Sequence, residues 1–285
     1  MEKLVLALIL LSISMTSIAS TKVIYGDDNR VDVYDSKNSD FVELAKSTAA
    51  MIPKSNLSKG WFDDVYKLKA KSLADRGICK SERFANQPTA ANCSGFLVSD
   101  KLLVTAGHCI RSQSDCSGSY WVFNYKMKNS TEYATEYSEE NVYKCSKIVA
   151  QSLNNSTMDD YALIELDKAV TVARPAKFRT SGKPSVGDKI VVIGHPTGLP
   201  TKIADGAQVR DLKSKYFSAN LDTYGGNSGS AVFNVTTGEV EGILVRGETD
   251  YVRNGGCQVS NRVSNDGGRG EDVTYITNIK ELKNL

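Results

Sequence analysis

Histidine is nearly absent from this 285-residue sequence, which contains only His108 and His195. Chemistry that needs an imidazole therefore has two addresses. Strong charge of either sign is also missing: 35 Lys and Arg against 33 Asp and Glu leave a formal +2, with no basic footprint for nucleic acid. The cysteines show no Cys-x-x-Cys or Cys-x-x-His spacing, so no metal site or other cofactor is expected. Repeats and low-complexity tracts are missing too. The one long apolar run, residues 4–15, is too short to cross a bilayer. With Lys3 before it and Ser17-Ile18-Ala19-Ser20 after it, the run reads as a secretory signal cut after Ala19 or Ser20. Six cysteines fit the oxidising destination this implies, secreted or periplasmic. After cleavage no membrane contact is expected, and the protein should be a monomer.

What the sequence does contain is a glycine-rich turn around one serine, Asp222-Thr223-Tyr224-Gly225-Gly226-Asn227-Ser228-Gly229-Ser230. Glycine lets bare backbone approach a ligand. Neighbouring N–H groups in such a turn can stabilise an oxygen that becomes negative during acyl transfer, which makes Ser228 a candidate nucleophile. Alone, the string also suits an ordinary turn. A serine needs a base, and Val104-Thr105-Ala106-Gly107-His108-Cys109 supplies His108 upstream. Asp159-Asp160-Tyr161-Ala162-Leu163-Ile164-Glu165-Leu166 then offers a carboxylate at the head of a strand to orient it. His195, in Gly194-His195-Pro196-Thr197-Gly198, reads as a turn residue after a strand.

In the order His, Asp, Ser, these motifs resemble the trypsin/chymotrypsin family of serine proteases over residues 79–285. The nearest branch is that of bacterial trypsin-like proteases related to glutamyl endopeptidases, which carry Gly-Gly-Asn-Ser-Gly-Ser. The resemblance implies an all-β fold of two six-stranded antiparallel β-barrels of the chymotrypsin type, with the active site between them. It implies a secreted endopeptidase acting on protein or peptide substrates through an acyl-enzyme. His108 would be the base, Asp160 its partner on the Asp-x-Ala-Leu spacing, and Ser228 the nucleophile in preference to Ser230. Asp159 would be a solvated loop carboxylate. The N–H groups of Gly226 and Ser228 would form the oxyanion hole. The family's disulfide corresponds to Cys93–Cys109; Cys116–Cys145 and Cys79–Cys257 are expected beside it, although spacing alone leaves these open.

The specificity pocket is expected at Asp222, Thr223, Val245, Arg246 and Gly247. Asp222 stands where trypsin-like enzymes carry the carboxylate that selects lysine or arginine. Thr223 matches the glutamyl endopeptidases, but the histidine they place in a later strand is Leu244 here. Arg246 is read as neutralising Asp222 or as receiving an acidic side chain. Cleavage after basic residues is the preferred expectation; a glutamyl-specific enzyme and an inactive protease-like binding module are the alternatives. A lipase would need the order Ser, Asp, His and a Gly-x-Ser-x-Gly elbow, and neither is present in this sequence. Val23 onward is similar to the mature start of glutamyl endopeptidases, which makes Lys22–Val23 a candidate activation bond. In trypsin-like enzymes a freed ammonium pairs with an aspartate before the nucleophile, but here that residue is Asn227.

The organisation expected is a signal at 1–20, an N-terminal or pro-segment with the first barrel strand at 21–78, and the protease domain at 79–285. Within 40–76, Phe41, Leu44, Ala45 and Ala49 suit a helix face, while 47–52 suits a strand equally well. From Cys93 onward, short β-branched and aromatic runs bounded by turn residues predict the strands of two barrels. Arg174-Pro175 and Lys183-Pro184 fall in the connection between them.

Overall fold

The computed structural model describes residues 23–61 and 63–285. The segment read as a signal, and Lys22 after it, lie outside the described residues.

Twelve strands close into two rings. The first ring contains β1 (Thr48–Pro53), β2 (Cys93–Leu97), β3 (Leu102–Thr105), β4 (Ser119–Phe123), β5 (Val142–Asn154) and β6 (Asp159–Leu166). The second contains β7 (Lys189–Gly194), β8 (Lys202–Leu212), β9 (Tyr216–Ala219), β10 (Ala231–Asn234), β11 (Val240–Arg246) and β12 (Glu271–Tyr275). Neighbours in the first run β4-β5-β6-β3-β2-β1, and β1 returns to β4. Neighbours in the second run β7-β10-β11-β12-β9-β8, and β8 returns to β7. The two rings thus share one strand order, and closure gives each of the twelve strands a hydrogen-bonded neighbour on both sides.

Burial explains why these runs become strands. In β4 and β6 the apolar side chains Trp121, Phe123, Leu163 and Ile164 are fully enclosed. In β7, Ile190 and Val192 pack into the second barrel's own core, while Val191 and Ile193 turn to the other face. That other face belongs to a cluster joining Leu103, Val104 and Ile164 of the first ring to Ile193, Ala231 and Ile243 of the second. The barrels therefore share a continuous apolar seam, and a cleft bordered by both has fixed walls.

The ambiguous segment at 40–52 is helix and strand in succession. Ser39–Ala45 is helical and begins at Asn38, whose Oδ1 accepts the N–H groups of Asp40 at 2.9 Å and Phe41 at 3.4 Å. β1 follows after a two-residue turn. Upstream, the strand Arg30–Asp32 adds to the outside of the second ring against β8, and Ile24–Tyr25 pairs in parallel with Arg262–Val263. The start of the described chain thus belongs to the second barrel, not the first.

Three disulfides form: Cys79–Cys257, Cys93–Cys109 and Cys116–Cys145, with Cα separations of 5.0, 6.4 and 5.2 Å. Cys116 lies in the helix Gln113–Gly118, so this bond ties a helix to β5 rather than closing a hairpin between two strands. Among the described residues no helix is long and apolar enough to cross a membrane.

Candidate active site

His108 occupies the short 3-10 turn Gly107–Cys109 immediately after β3. Cys109 anchors one side of the turn to Cys93 on β2. On the other side Gly107 presses against the β5–β6 hairpin. A Cβ at this position would lie 2.0 Å from the Ser152 carbonyl and 2.8 Å from that of Tyr161. Only glycine permits such an approach. Asp160, in β6, is buried beneath the turn. Its Oδ1 accepts the backbone N–H of His108 at 3.0 Å, and its Oδ2 lies 2.9 Å from Nδ1 of the ring. A carboxylate that holds both backbone and ring fixes the residue's position and places the proton on Nδ1. Nε2 is left as the basic nitrogen.

Asp159 is not a solvated loop carboxylate, as the sequence suggested. Neighbours on a strand point to opposite faces, and Asp159 turns away from His108. Its Oδ1 accepts Nδ2 of Asn278 at 3.0 Å, and its Oδ2 lies 3.3 Å from Lys215 Nζ.

Ser228 sits in a turn tied to both barrels. Its carbonyl accepts the N–H of Ser94 on β2 at 2.8 Å. Gly229 is wedged against Ser94 and Thr105, and Thr105 closes the strand that leads to His108. Gly226 has φ +93°, and a Cβ there would stand 2.6 Å from the His195 carbonyl. Glycine is required on both counts. The Gly226 carbonyl accepts Ser94 Oγ at 2.8 Å, while Ser94 Oγ accepts the His195 N–H at 3.0 Å. This relay fixes the peptide plane beside the serine. Among the described residues, the N–H groups of Gly226 and Ser228 meet no backbone carbonyl. Ser230 is fully enclosed, and its Oγ donates to Asn227 Oδ1 at 3.2 Å, which withdraws it from any substrate.

His195 is the second imidazole, and it is buried. Its Nδ1 lies 3.0 Å from the Leu199 carbonyl. Burial pushes its pKa down to about 3, with Lys202 nearby adding to the fall against the carbonyl bond. It is a neutral structural ring.

The residues named for specificity are arranged differently from a simple pocket floor. Asp222 is buried, and its two oxygens accept the N–H groups of Tyr25 at 2.8 Å and Asn29 at 2.9 Å. Burial raises its pKa to about 6 despite these bonds. Its carboxylate grips the N-terminal segment. Thr223 is also enclosed and donates its hydroxyl to Oε2 of Glu271 at 2.7 Å. Glu271, a residue the sequence did not single out, reaches beneath Gly247 and accepts the Glu248 N–H at 3.2 Å. Val245 is buried in β11. Arg246 does not meet Asp222; its guanidinium faces Asp160 and Asp272. Nothing in the sequence marks the Thr223–Glu271 pair, because its members are 48 positions apart. An open cleft of about 260 Å³ runs along Gly225 and Gly226, walled by Arg76, Asn92, Thr197 and Asp250.

Metal chemistry finds no suitable donors in the one candidate group among the described residues. Cys93, His108 and Cys109 bring ligand atoms within 4.8 Å of one another. The two sulfurs are bonded to each other, and a metal needs thiolates.

Paired six-stranded barrels, with a His–Asp contact beside a glycine-flanked serine, define a chymotrypsin-like protease architecture. The sequence profile of the trypsin-like peptidase domain matches residues 93–243, and the chain belongs to that family. It is 29% identical over 194 residues to a protein named extracellular metalloprotease from Bacillus subtilis, covering 65% of this chain and 60% of that one. It is 27% identical over 146 residues to glutamyl endopeptidase from Bacillus licheniformis, covering 50% and 45%. The chain thus spans less than two thirds of these relatives' length. A solved structure of Glu endopeptidase in complex with MPD superposes with a TM-score of 0.54 at 18% identity, over 92% of this chain and 100% of the other. That likeness concerns the fold.

Proposed function

We propose that this chain is a secreted serine endopeptidase. Ser228 Oγ attacks the scissile carbonyl, and His108 Nε2 takes its proton and passes it to the leaving amine. Asp160 holds the ring and stabilises the imidazolium. The oxyanion forms against the N–H groups of Gly226 and Ser228. Water then hydrolyses the acyl-enzyme by the same proton route. The observation that carries this reading is the double hold of Asp160 on the backbone and ring of His108. Six bonded cysteines support an extracytoplasmic destination, the periplasm or the exterior.

Before the scissile bond, a basic side chain is favoured over an acidic one. The Thr223 hydroxyl, the group on which a glutamyl reading relies, is already donated to the buried Glu271 carboxylate. A substrate glutamate arriving there would face like charge. A fluorophosphonate probe tests the class: the mature protein should label and Ser228→Ala should not. An unlabelled mature protein would leave a protease-like binding module. A peptide-library cleavage profile tests the preference, and cleavage confined to sites after glutamate would overturn it.

A further inference from the structure

A peptide that joins two glycines is the easiest in a chain to turn over, and the one between Gly225 and Gly226 carries an oxyanion N–H. Neither residue has a Cβ to oppose rotation of the plane between them. In a trans peptide the carbonyl and the N–H point in opposite directions. Turned over, this plane would put the Gly225 carbonyl oxygen where the Gly226 N–H belongs, and an oxyanion would meet the negative end of a dipole. Hydrogen bonds, more than side-chain sterics, must hold it.

The bond that holds it comes from Thr197. Its N–H donates to the Gly225 carbonyl at 2.5 Å, which leaves the Gly226 N–H facing the opposite way. Thr197 makes this bond from an unusual backbone, φ +52° and ψ +23°, in the left-handed region. A β-branched residue seldom rests there, and does so only where its surroundings hold it. Here the hold includes a hydroxyl pair: Thr197 Oγ1 lies 2.7 Å from Tyr251 Oη.

Tyr251 opens the hairpin of Tyr251–Asn254 and Cys257–Ser260. The Cys79–Cys257 disulfide fastens that hairpin to the body of the protein, and the Cys79 N–H donates to the Gln258 carbonyl beside it at 2.9 Å. The Tyr251 ring stacks on Tyr224, the residue before the glycine pair, with centroids 4.6 Å apart. Asp250, next to it, accepts the Gly225 N–H on Oδ2 at 2.9 Å. One end of one hairpin thus reaches the oxyanion turn through a ring, a carboxylate and a hydroxyl. Of the three, the hydroxyl is the one that bears on the plane carrying the Gly226 N–H.

We propose that Tyr251 and Thr197 are positioning residues for the oxyanion hole: their hydroxyl pair fixes the Thr197 N–H on the Gly225 carbonyl and so aims the Gly226 N–H at the developing oxyanion. This rests on the reading of Ser228 as nucleophile and Gly226 as oxyanion donor. Both residues act through the peptide between Gly225 and Gly226.

The test compares wild type with Tyr251→Phe, Thr197→Val, their double variant and Thr197→Ser. Phenylalanine keeps the stack on Tyr224 and valine keeps the branch, so each removes the hydroxyl bond alone. Two quantities are read: kcat and KM on a peptide amide, and the Ki of the matching peptide trifluoromethyl ketone, whose adduct with Ser228 leaves its oxyanion in the hole. Each single variant should lower kcat by about tenfold with KM unchanged, less than the roughly 10²–10³-fold cost of a donor removed outright. The Ki of the ketone should rise by the same factor. The double variant should lose no more than either single, because both break one bond. Thr197→Ser keeps the hydroxyl and should recover most of the rate lost in Thr197→Val. A purely structural role would raise KM, lower kcat without weakening the ketone, or make the two losses add, and any of these overturns the proposal. A wild type that neither turns over the amide nor binds the ketone brings down the protease reading with it. An active wild type beside an equally active Tyr251→Phe brings down the hydroxyl clamp alone.

Discussion

The close approach of Gly107 to the β5–β6 hairpin yields the sharpest prediction. In Gly107→Ala the new methyl would start 2.0 Å from the Ser152 carbonyl oxygen and 2.8 Å from that of Tyr161. Carbon and oxygen at rest need more than 3 Å, so the turn and hairpin must part by about 1 Å. The hydrogen bonds that cross this gap are short, 3.0 Å to the His108 backbone and 2.9 Å to its ring. Lengthened by that much, both pass out of hydrogen-bond range. A misplacement of about 1 Å in a catalytic constellation can cost roughly 10²-fold in rate. The overpacking itself should cost about 1–3 kcal/mol of stability. The assay is kcat/KM on a peptide amide, normalised by active-site titration, with a parallel denaturant melt. The expected result is a folded protein slowed by about 10²-fold, with kcat falling more than KM rises. Turnover within about twofold of wild type would refute the claim that this contact sets the histidine.

Other expectations follow from the same geometry. Ser228→Ala, His108→Ala and Asp160→Asn should each remove orders of magnitude of amidolysis, and the double variants should lose little more than the singles, because such groups act as a unit; additive losses would speak against a shared mechanism. Cys93→Ala with Cys109→Ala should cost about 3 kcal/mol by loop entropy and a larger share of activity, since His108 precedes Cys109; a denaturant melt beside a rate assay separates the two. His195 binds a proton near pH 6.5 when unfolded but only at about 3 when folded, so its contribution is complete above 6.5 and is lost as pH falls from 6.5 towards 3. His195→Asn should therefore flatten the acid side of the stability profile, and an unchanged slope would contradict the burial argument.

The sequence displays the parts of this protein that are local. Each of the three motifs is a short string whose residues work beside one another, and the strands from Cys93 onward carry apolar patterns visible within a window of a few residues. What it conceals is the company that distant residues keep. Asp222 looks like a pocket floor because nothing nearby hints that Tyr25 and Asn29, almost 200 positions earlier, will occupy both its oxygens. Asp159 and Asp160 are equivalent as letters and become opposite in role once the strand alternates them between faces. Arg246 reads as a partner for Asp222, and only the meeting of the two barrels brings its guanidinium to Asp160. The helix at Ser39–Ala45 and the strand after it read in the sequence as one ambiguous stretch, because short apolar runs fit both periods.

The placement of residues 24–32 on the second barrel bears on how the chain reaches its native state. These residues leave the ribosome early, yet Asp222, Arg262 and Val263, which hold them, are synthesised about two hundred residues later. The Cys79–Cys257 bond spans 178 positions in the same sense. The first barrel can close its ring once Leu166 has emerged, since all six of its strands precede that point. The second cannot take up its N-terminal strand until an ordered body already separates the two ends. Such late, long-range closure is slow, because the loop entropy must be spent before any contact repays it. Assembly should then proceed in two stages: a fast phase that buries Trp121, and a slower one that shelters Tyr25.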